Sequence, residues 1–322
     1  MRAVQISRLE GPAGLELVDL PPPESNGRLV IEVHAAGVGF PDLLMTQGRY
    51  QFRPEPPFVP GIEMAGIVHE APDGSPFRPG DRVVSWSALG SWAEYAVASP
   101  VTSFAIAPDM SFAEATSLVN YQSAYFGLVD RGAARAGETV LVHGAAGGVG
   151  SAAVDIGQAL GLTVIAVAQG EAKLRIARDL GAAHGLESDS DWLSAVKEIT
   201  GGRGVDLVFD PVGGDRFLDS VRSLAVDGRL LVVGFAGGSI PEIKVNRLLL
   251  KNASLVGVAW GEYVRHDIEM PQRIGVQLRE LWEARKIRPA VGRTFPLEQA
   301  ADALREIEER RAVGKIALIV RE

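Results

Sequence analysis

Three glycines at intervals of three, Gly144, Gly147 and Gly150, lie in the stretch Val140-Leu141-Val142-His143-Gly144-Ala145-Ala146-Gly147-Gly148-Val149-Gly150. An apolar run passes into a turn of small residues and then directly into a helical pattern. That order aims backbone N–H groups and a helix N-terminus at an incoming anion, and the missing side chains let a pyrophosphate approach the main chain. The spacing is a variant of the dinucleotide-binding fingerprint. A tight turn that needs glycine only for packing is the competing explanation. The context favours the fingerprint, because a strand precedes the loop, a helix follows it and a βαβ unit surrounds it. Ala146, Gly147, Gly148, Val149 and Gly150 are therefore the expected pyrophosphate cradle.

The second phosphate of such a cofactor is selected about twenty residues further on. There the chain reads Val167-Ala168-Gln169-Gly170-Glu171-Ala172-Lys173-Leu174-Arg175, with no acid at the strand end itself. Gln169 and Gly170 leave room for a 2′-phosphate, and Lys173, with Arg175 or Arg178 behind it, supplies positive charge. NADPH is expected over NADH. Glu171 keeps NADH open, and a solvated helix face is the ordinary explanation for Arg178.

Other chemistry is sparse. The chain has no cysteine, which removes disulfides, thiolate nucleophiles and thiolate-based zinc sites. Its five histidines, at positions 34, 69, 143, 184 and 266, include no pair at helical i, i+4 spacing, and no metal is expected. Tyr50 is the candidate donor to an oxygen that gains negative charge, with a packed barrel tyrosine as the equal alternative. Asp42 and Glu63 rank below it, as structural hydrogen-bond partners or caps, and His143 reads as a packed strand residue. Phe40, Tyr50, Phe52, Phe58 and Trp260 either line an apolar pocket for a flat acceptor or belong to the core.

The elements around these residues divide the chain. Its 322 residues, 47% hydrophobic and 22% charged, suffice for two moderate cores. A net charge of -8 with no basic block argues against nucleic acid, and no stretch has the length of a membrane span or signal peptide, so a cytoplasmic protein is expected. The first third is β-rich, with runs at 28–33, 65–70, 82–86 and 92–97 between Gly/Pro turns. A helix over 112–127 follows a Ser111 cap. Strands at 139–143, 163–168, 205–209 and 229–233 then alternate with helices at 149–160, 172–180, 192–200 and 217–224, which implies a parallel sheet covered on both faces. A strand at 254–259 closes it. Helices at 270–285 and 297–310 lead to a final strand at 315–320, expected to return to the first domain. The expected fold class is α/β, a Rossmann-type doubly wound parallel sheet plus a β-rich barrel domain, with boundaries at 1–118, 119–265 and 266–322.

The chain resembles the zinc-independent quinone oxidoreductases, the zeta-crystallin group of the medium-chain dehydrogenase/reductase superfamily. The likeness rests on Ala35-Ala36-Gly37-Val38 leading to Asp42, Gly48-Arg49-Tyr50, Pro60-Gly61-Ile62-Glu63, Pro79-Gly80-Asp81-Arg82-Val83, Gly90–Tyr95, Gly144–Gly150, Asp210–Gly214, Gly228–Gly234 and Leu248–Asn252. The resemblance implies a GroES-like substrate domain, an active site in the cleft between the domains, and homodimers formed through the 254–259 edge. Zinc-dependent relatives place a Cys where this chain has Gly39 and a His where it has Ile62. Carried over by position, Gly170 and Lys173 flank the adenosine phosphate. Gly234, Phe235 and Ala236 lie beside the nicotinamide, and Val258, Ala259 and Trp260 form a second wall. Tyr50 and Asn120 face cofactor and substrate. Gly39 stands where the quinone reductases commonly have Asn, and Ser188 where a Tyr or His commonly meets the 2′-phosphate. The activity implied is hydride transfer from NADPH to a quinone. Reduction of an activated C=C bond is the alternative, and a non-enzymatic NADPH-binding role is the reading from another class.

Overall fold

The computed structural model describes residues 1–321, which fold as two compact units. One comprises Met1–Val119, Ile268–Glu283 and the segment from Pro289 onward. The other comprises Asn120–Asp267 and Ala284–Arg288.

The first unit is built on strands β1 (Arg2–Ile6), β2 (Leu15–Asp19), β3 (Leu29–Val38), β4 (Glu63–Glu70), β5 (Arg82–Trp86), β6 (Tyr95–Ala98) and β7 (Ser103–Ala105). β3 is the spine. It pairs antiparallel with β4 and β6, and every residue of it except Glu32 and His34 is buried, as the run Leu-Val-Ile and then Ala-Ala-Gly-Val predicts.

The second unit contains β8 (Thr139–His143), β9 (Thr163–Ala168), β10 (His184–Glu187), β11 (Val205–Asp210), β12 (Leu224–Val232) and β13 (Ser254–Gly257). All neighbours pair in parallel, in the order β10-β9-β8-β11-β12-β13. β8 is buried at all five positions and β9 at all but its first. A sheet covered by helices on both faces selects such continuous apolar runs. The chain winds outward from β8 to β10, then crosses to β11 and winds the other way. The order therefore reverses between β8 and β11, the position at which open parallel sheets bind ligands beyond their C-terminal edge.

The last two strands, β14 (Val291–Pro296) and β15 (Lys315–Ile319), belong to the first unit. β15 pairs antiparallel with β3, Ile316 opposite Val38, so the chain end returns to the first sheet as expected. Several strands escaped the sequence pattern, β2, β7, β10 and β14 among them. β10 reads His-Gly-Leu-Glu and β14 reads Val-Gly-Arg-Thr-Phe-Pro, and in both it is pairing with a neighbour that imposes extension. The helix expected over 112–127 is divided: Phe112–Thr116, Leu118–Tyr125, and then a wider π turn over Phe126–Arg131. Its start is as expected, with Ser111 and Glu114 forming a reciprocal capping box.

Candidate cofactor site

The glycine loop leaves the C-terminal end of β8 and opens the helix Gly148–Ala159. Its glycines do different things. Gly144 adopts φ +58, and its carbonyl accepts from the Gly147 amide at 2.9 Å. A Cβ on Gly150 would stand 2.1 Å from that same carbonyl, so the first helical turn packs on the loop only without a side chain there. A Cβ on Gly148 would stand 2.4 Å from Asn120 Oδ1, which places the Asn120 side chain directly against the loop. Ala145 and Ala146 are buried beneath it.

The remaining residues expected at the cofactor lie on segments that leave the same edge of the sheet. Gln169 and Gly170 follow β9, with Gly170 at φ +81 before the helix Glu171–Asp179 that carries Lys173. Gln169 Nε2 donates to Asp189 Oδ2 at 3.0 Å, and the Gly170 amide donates to Glu187 Oε2 at 2.8 Å. Arg178 is held by Glu171 at 2.6 Å, which commits its charge to another acid of the same helix.

Beyond β11, Asp210 Oδ1 accepts from the amides of Val212 and Gly213, both at 2.9 Å, and shapes the turn. Phe235 covers that turn, because a Cβ on Gly213 would come within 2.9 Å of its ring. The Gly234 and Ala236 amides donate back to Asp210 and Pro211 carbonyls, so this segment is strapped across the ends of two strands. After β13 the Val258 amide donates to the Val232 carbonyl at 2.9 Å, and Val258 and Trp260 are buried on either side of Ala259. Asn120, the loop 146–150, 169–173, 234–236 and 258–260 thus belong to one unit; the last four follow strands of one sheet, and Asn120 reaches the loop from the helix Leu118–Tyr125. Glu187 and Asp189, which hold the segments after β9 and β10, were not singled out from the sequence, and their only signal is position on either side of Ser188. Asp210 opens one of the stretches that carry the family likeness.

His143 closes β8 as a buried residue. Its Nε2 lies 2.8 Å from Ser220 Oγ, and its ring meets that of Trp192 edge-on at 4.9 Å. Burial pushes the imidazole down to about 4, against the opposing pull of Asp210, so the ring is neutral at pH 7.

Tyr50 belongs to the other unit. It packs, half-buried, with Ile62 and Leu89 against a small cluster of Ile6, Met45 and Phe58. Phe40 packs on the main core of that unit, whereas Phe52 is exposed. Asp42 lies in the first turn of the helix Phe40–Thr46, and its Oδ2 accepts from the Gly39 amide at 2.8 Å. Glu63 and Lys315 form a buried ion pair beside it. Burial first, and then repulsion from Glu63, push Asp42 up to about 7 against the pull of Lys315 and the Gly39 and Ile62 amides. Both acids thus serve as structural partners, the role expected of them. Among the described residues no group of three or more His, Cys, Asp or Glu side chains is placed to hold a metal ion. Gly39 and Ile62 carry no side-chain donor atom, and the Glu63 carboxylate is engaged by the Lys315 ammonium.

Residues 25–109 match the alcohol dehydrogenase GroES-like domain, and residues 148–272 match the zinc-binding dehydrogenase domain. Quinone oxidoreductase-like protein 2 of Bos taurus is 37% identical over 321 residues, covering 98% of this chain and 92% of the relative. The chain belongs to the quinone oxidoreductases of the medium-chain dehydrogenase/reductase superfamily. Among solved structures, a probable oxidoreductase from Mycobacterium abscessus is similar at TM-score 0.91 and 44% identity, with 99% of each chain covered. The quinone oxidoreductase of Thermus thermophilus, described alone and in complex with NADPH, is similar at TM-score 0.86 and 34% identity over 99% of this chain and 100% of that one. The family thus accounts for the two folds together: a GroES-like unit and a dinucleotide-binding sheet in one chain. No helix among the described residues is long and apolar enough to cross a membrane.

Proposed function

We propose that this chain is an NADPH-dependent oxidoreductase that works without zinc and delivers hydride to a quinone or a similarly electron-poor small molecule. The observation that carries the reading is the loop Gly144–Gly150 at the switch point of the sheet, where Cβ atoms at two glycines would clash at 2.4 and 2.1 Å. A main chain this bare at a helix N-terminus suits a pyrophosphate. The NADPH complex of the Thermus relative supports the choice of cofactor.

When bound, NADPH supplies the hydride. The chain's own contribution is to hold and orient. The amides of Ala146 to Gly150 neutralise the pyrophosphate, and Asn120 steadies the loop from its outer side. Gln169, Gly170 and Lys173 receive the adenosine end. Gly234, Phe235 and Ala236, with Val258, Ala259 and Trp260, keep water from the nicotinamide end, which strengthens every electrostatic contact there. Tyr50 donates a hydrogen bond to the oxygen that gains charge. Zinc independence is supported by the donor set, because Gly39 and Ile62 replace the side chains a catalytic zinc would need.

A homodimer accompanies this reading. β13 pairs on one side only among the described strands, and Val245, Leu249 and Leu250 on the segment leading into it are 75 to 80% exposed. An open edge with an apolar flank is what an isologous strand-to-strand interface covers.

The deciding experiment follows absorbance at 340 nm with NADPH and with NADH, each against 1,4-benzoquinone, 9,10-phenanthrenequinone and a simple enone, in EDTA. Quinone-dependent turnover that the chelator leaves intact is expected. Turnover with the enone alone moves the chain to the C=C reductases, and binding without turnover leaves a cofactor-binding protein.

A further inference from the structure

At the adenosine end, the donors that a 2′-phosphate would seek are already held by acids. The Gly170 amide donates to Glu187 Oε2 at 2.8 Å, and the Ser188 amide donates to Oε1 of the same carboxylate at 3.0 Å. Asp189 takes the other two, Gln169 Nε2 at 3.0 Å and Ser188 Oγ at 3.1 Å. Parallel pairing fixes this arrangement: Glu187 is the register partner of Ala168, so its Cα is pinned beside the end of β9, next to Gly170. Gly170 itself is open, since a Cβ there would meet nothing within 4 Å. The cationic side is diminished as well, because Arg178 is committed to Glu171.

We propose that Glu187 is a specificity-determining residue, whose carboxylate occupies the Gly170 and Ser188 amides and holds down the preference for NADP(H) over NAD(H). The inference rests on the dinucleotide reading above. A 2′-phosphate carries about -1.5 to -2 charges near pH 7 and binds best to amide and hydroxyl donors. Arriving at Gly170, it meets a carboxylate of like sign on the donors it needs, and Glu187 must turn away before it can bind. The 2′-hydroxyl of NAD(H) is neutral and can donate, so the same carboxylate serves it as an acceptor. One side chain thereby penalises one cofactor and accommodates the other, which is discrimination by a repulsive element. Lys173 favours the phosphate and Glu187 offsets it, so the preference for NADPH is smaller than Lys173 alone would set.

Titration calorimetry with NADP⁺ and NAD⁺, at low salt and without an acceptor, tests this in the wild type, in Glu187→Gln and in Glu198→Gln. Glutamine keeps an acceptor for the Gly170 amide and removes the charge. Glu187→Gln is expected to lower the Kd for NADP⁺ about tenfold, a gain of about 1.4 kcal/mol, and to move that for NAD⁺ by less than about twofold. Glu198→Gln makes the same change in net charge on the exposed face of the helix Trp192–Ile199 and is expected to leave both values unaltered. An unchanged ratio of the two Kd values in Glu187→Gln, or an equal change in Glu198→Gln, overturns the role of Glu187 while the site stands. A wild type that binds neither dinucleotide overturns the cofactor reading and this inference with it.

Discussion

The Tyr121 hydroxyl donates to Oδ2 of Asp155 at 2.6 Å, and the Arg288 amide donates to the same oxygen at 2.6 Å. Both side chains are buried, and Asp155 lies on the helix that the glycine loop opens. Burial pushes the Asp155 carboxyl up, and its two donors oppose that push. Removing one donor leaves a buried acceptor half satisfied, at a cost of about 1–3 kcal/mol. Tyr121→Phe is therefore expected to lower the urea midpoint without changing the native circular dichroism. A midpoint equal to that of the wild type would show that the hydroxyl contributes nothing to holding this helix.

Asp42 makes stability depend on pH. Its carboxyl titrates at about 7 in the folded protein against an ordinary 3.8. The native state thus binds more protons than the unfolded chain between those values, and stability falls as pH rises through that window. The contribution of this one group is on the order of 4 kcal/mol from end to end. Protonated Asp42 leaves the Glu63–Lys315 pair neutral as a whole, whereas ionised Asp42 adds an uncompensated charge to a buried cluster. Asp42→Asn is expected to flatten the profile of Tm against pH between 4 and 7. Parallel profiles for variant and wild type would remove Asp42 as the source.

How much of this was legible beforehand depended on whether a feature is local. Thr139–His143 and Thr163–Ala168 were readable to the residue, because a strand buried on both faces leaves an unbroken apolar run bounded by turns. The glycine loop was legible for the same reason, as strand, turn and helix are contiguous. β10 and β14 were not, since one or two apolar residues in a short polar stretch give no period and extension comes from a neighbour. Side-chain networks were hidden by separation: Tyr121 and Asp155 are 34 residues apart, and Glu63 and Lys315 are 252 apart. Glu187 was hidden because its partner, the Gly170 amide, has no sequence signature at all.

Tyr50 discriminates between the two substrate classes. After hydride transfer a quinone takes its one remaining proton from water, whereas saturation of an activated C=C bond requires a proton at the α-carbon. Positioned proton transfer is worth about 10²- to 10⁴-fold. If Tyr50 is the donor, Tyr50→Phe reduces kcat for a simple enone by at least about tenfold while altering quinone reduction by less than about threefold. Equal, small losses on both acceptors assign Tyr50 to packing on the Ile6, Met45 and Phe58 cluster, where the structure already seats it.

The edge of the second sheet yields the last prediction. Leu249 and Leu250 are 75% and 80% exposed, and Val245 is 76% exposed, which puts three large apolar side chains in water on the segment leading into β13, a strand paired on one side only among the described strands. Scattered exposed leucines are ordinary, but three apolar side chains on the segment leading into an open edge form a patch that association removes from solvent. Light scattering on a sizing column is expected to give twice the 34.2 kDa chain mass. A glutamate at Leu249 and at Leu250 places like charges face to face across a two-fold axis, because an isologous interface doubles every substitution. Leu249→Glu combined with Leu250→Glu is expected to yield a monomer with native circular dichroism. A wild type that elutes as a monomer at micromolar concentration would mean that this apolar flank meets something other than its own copy.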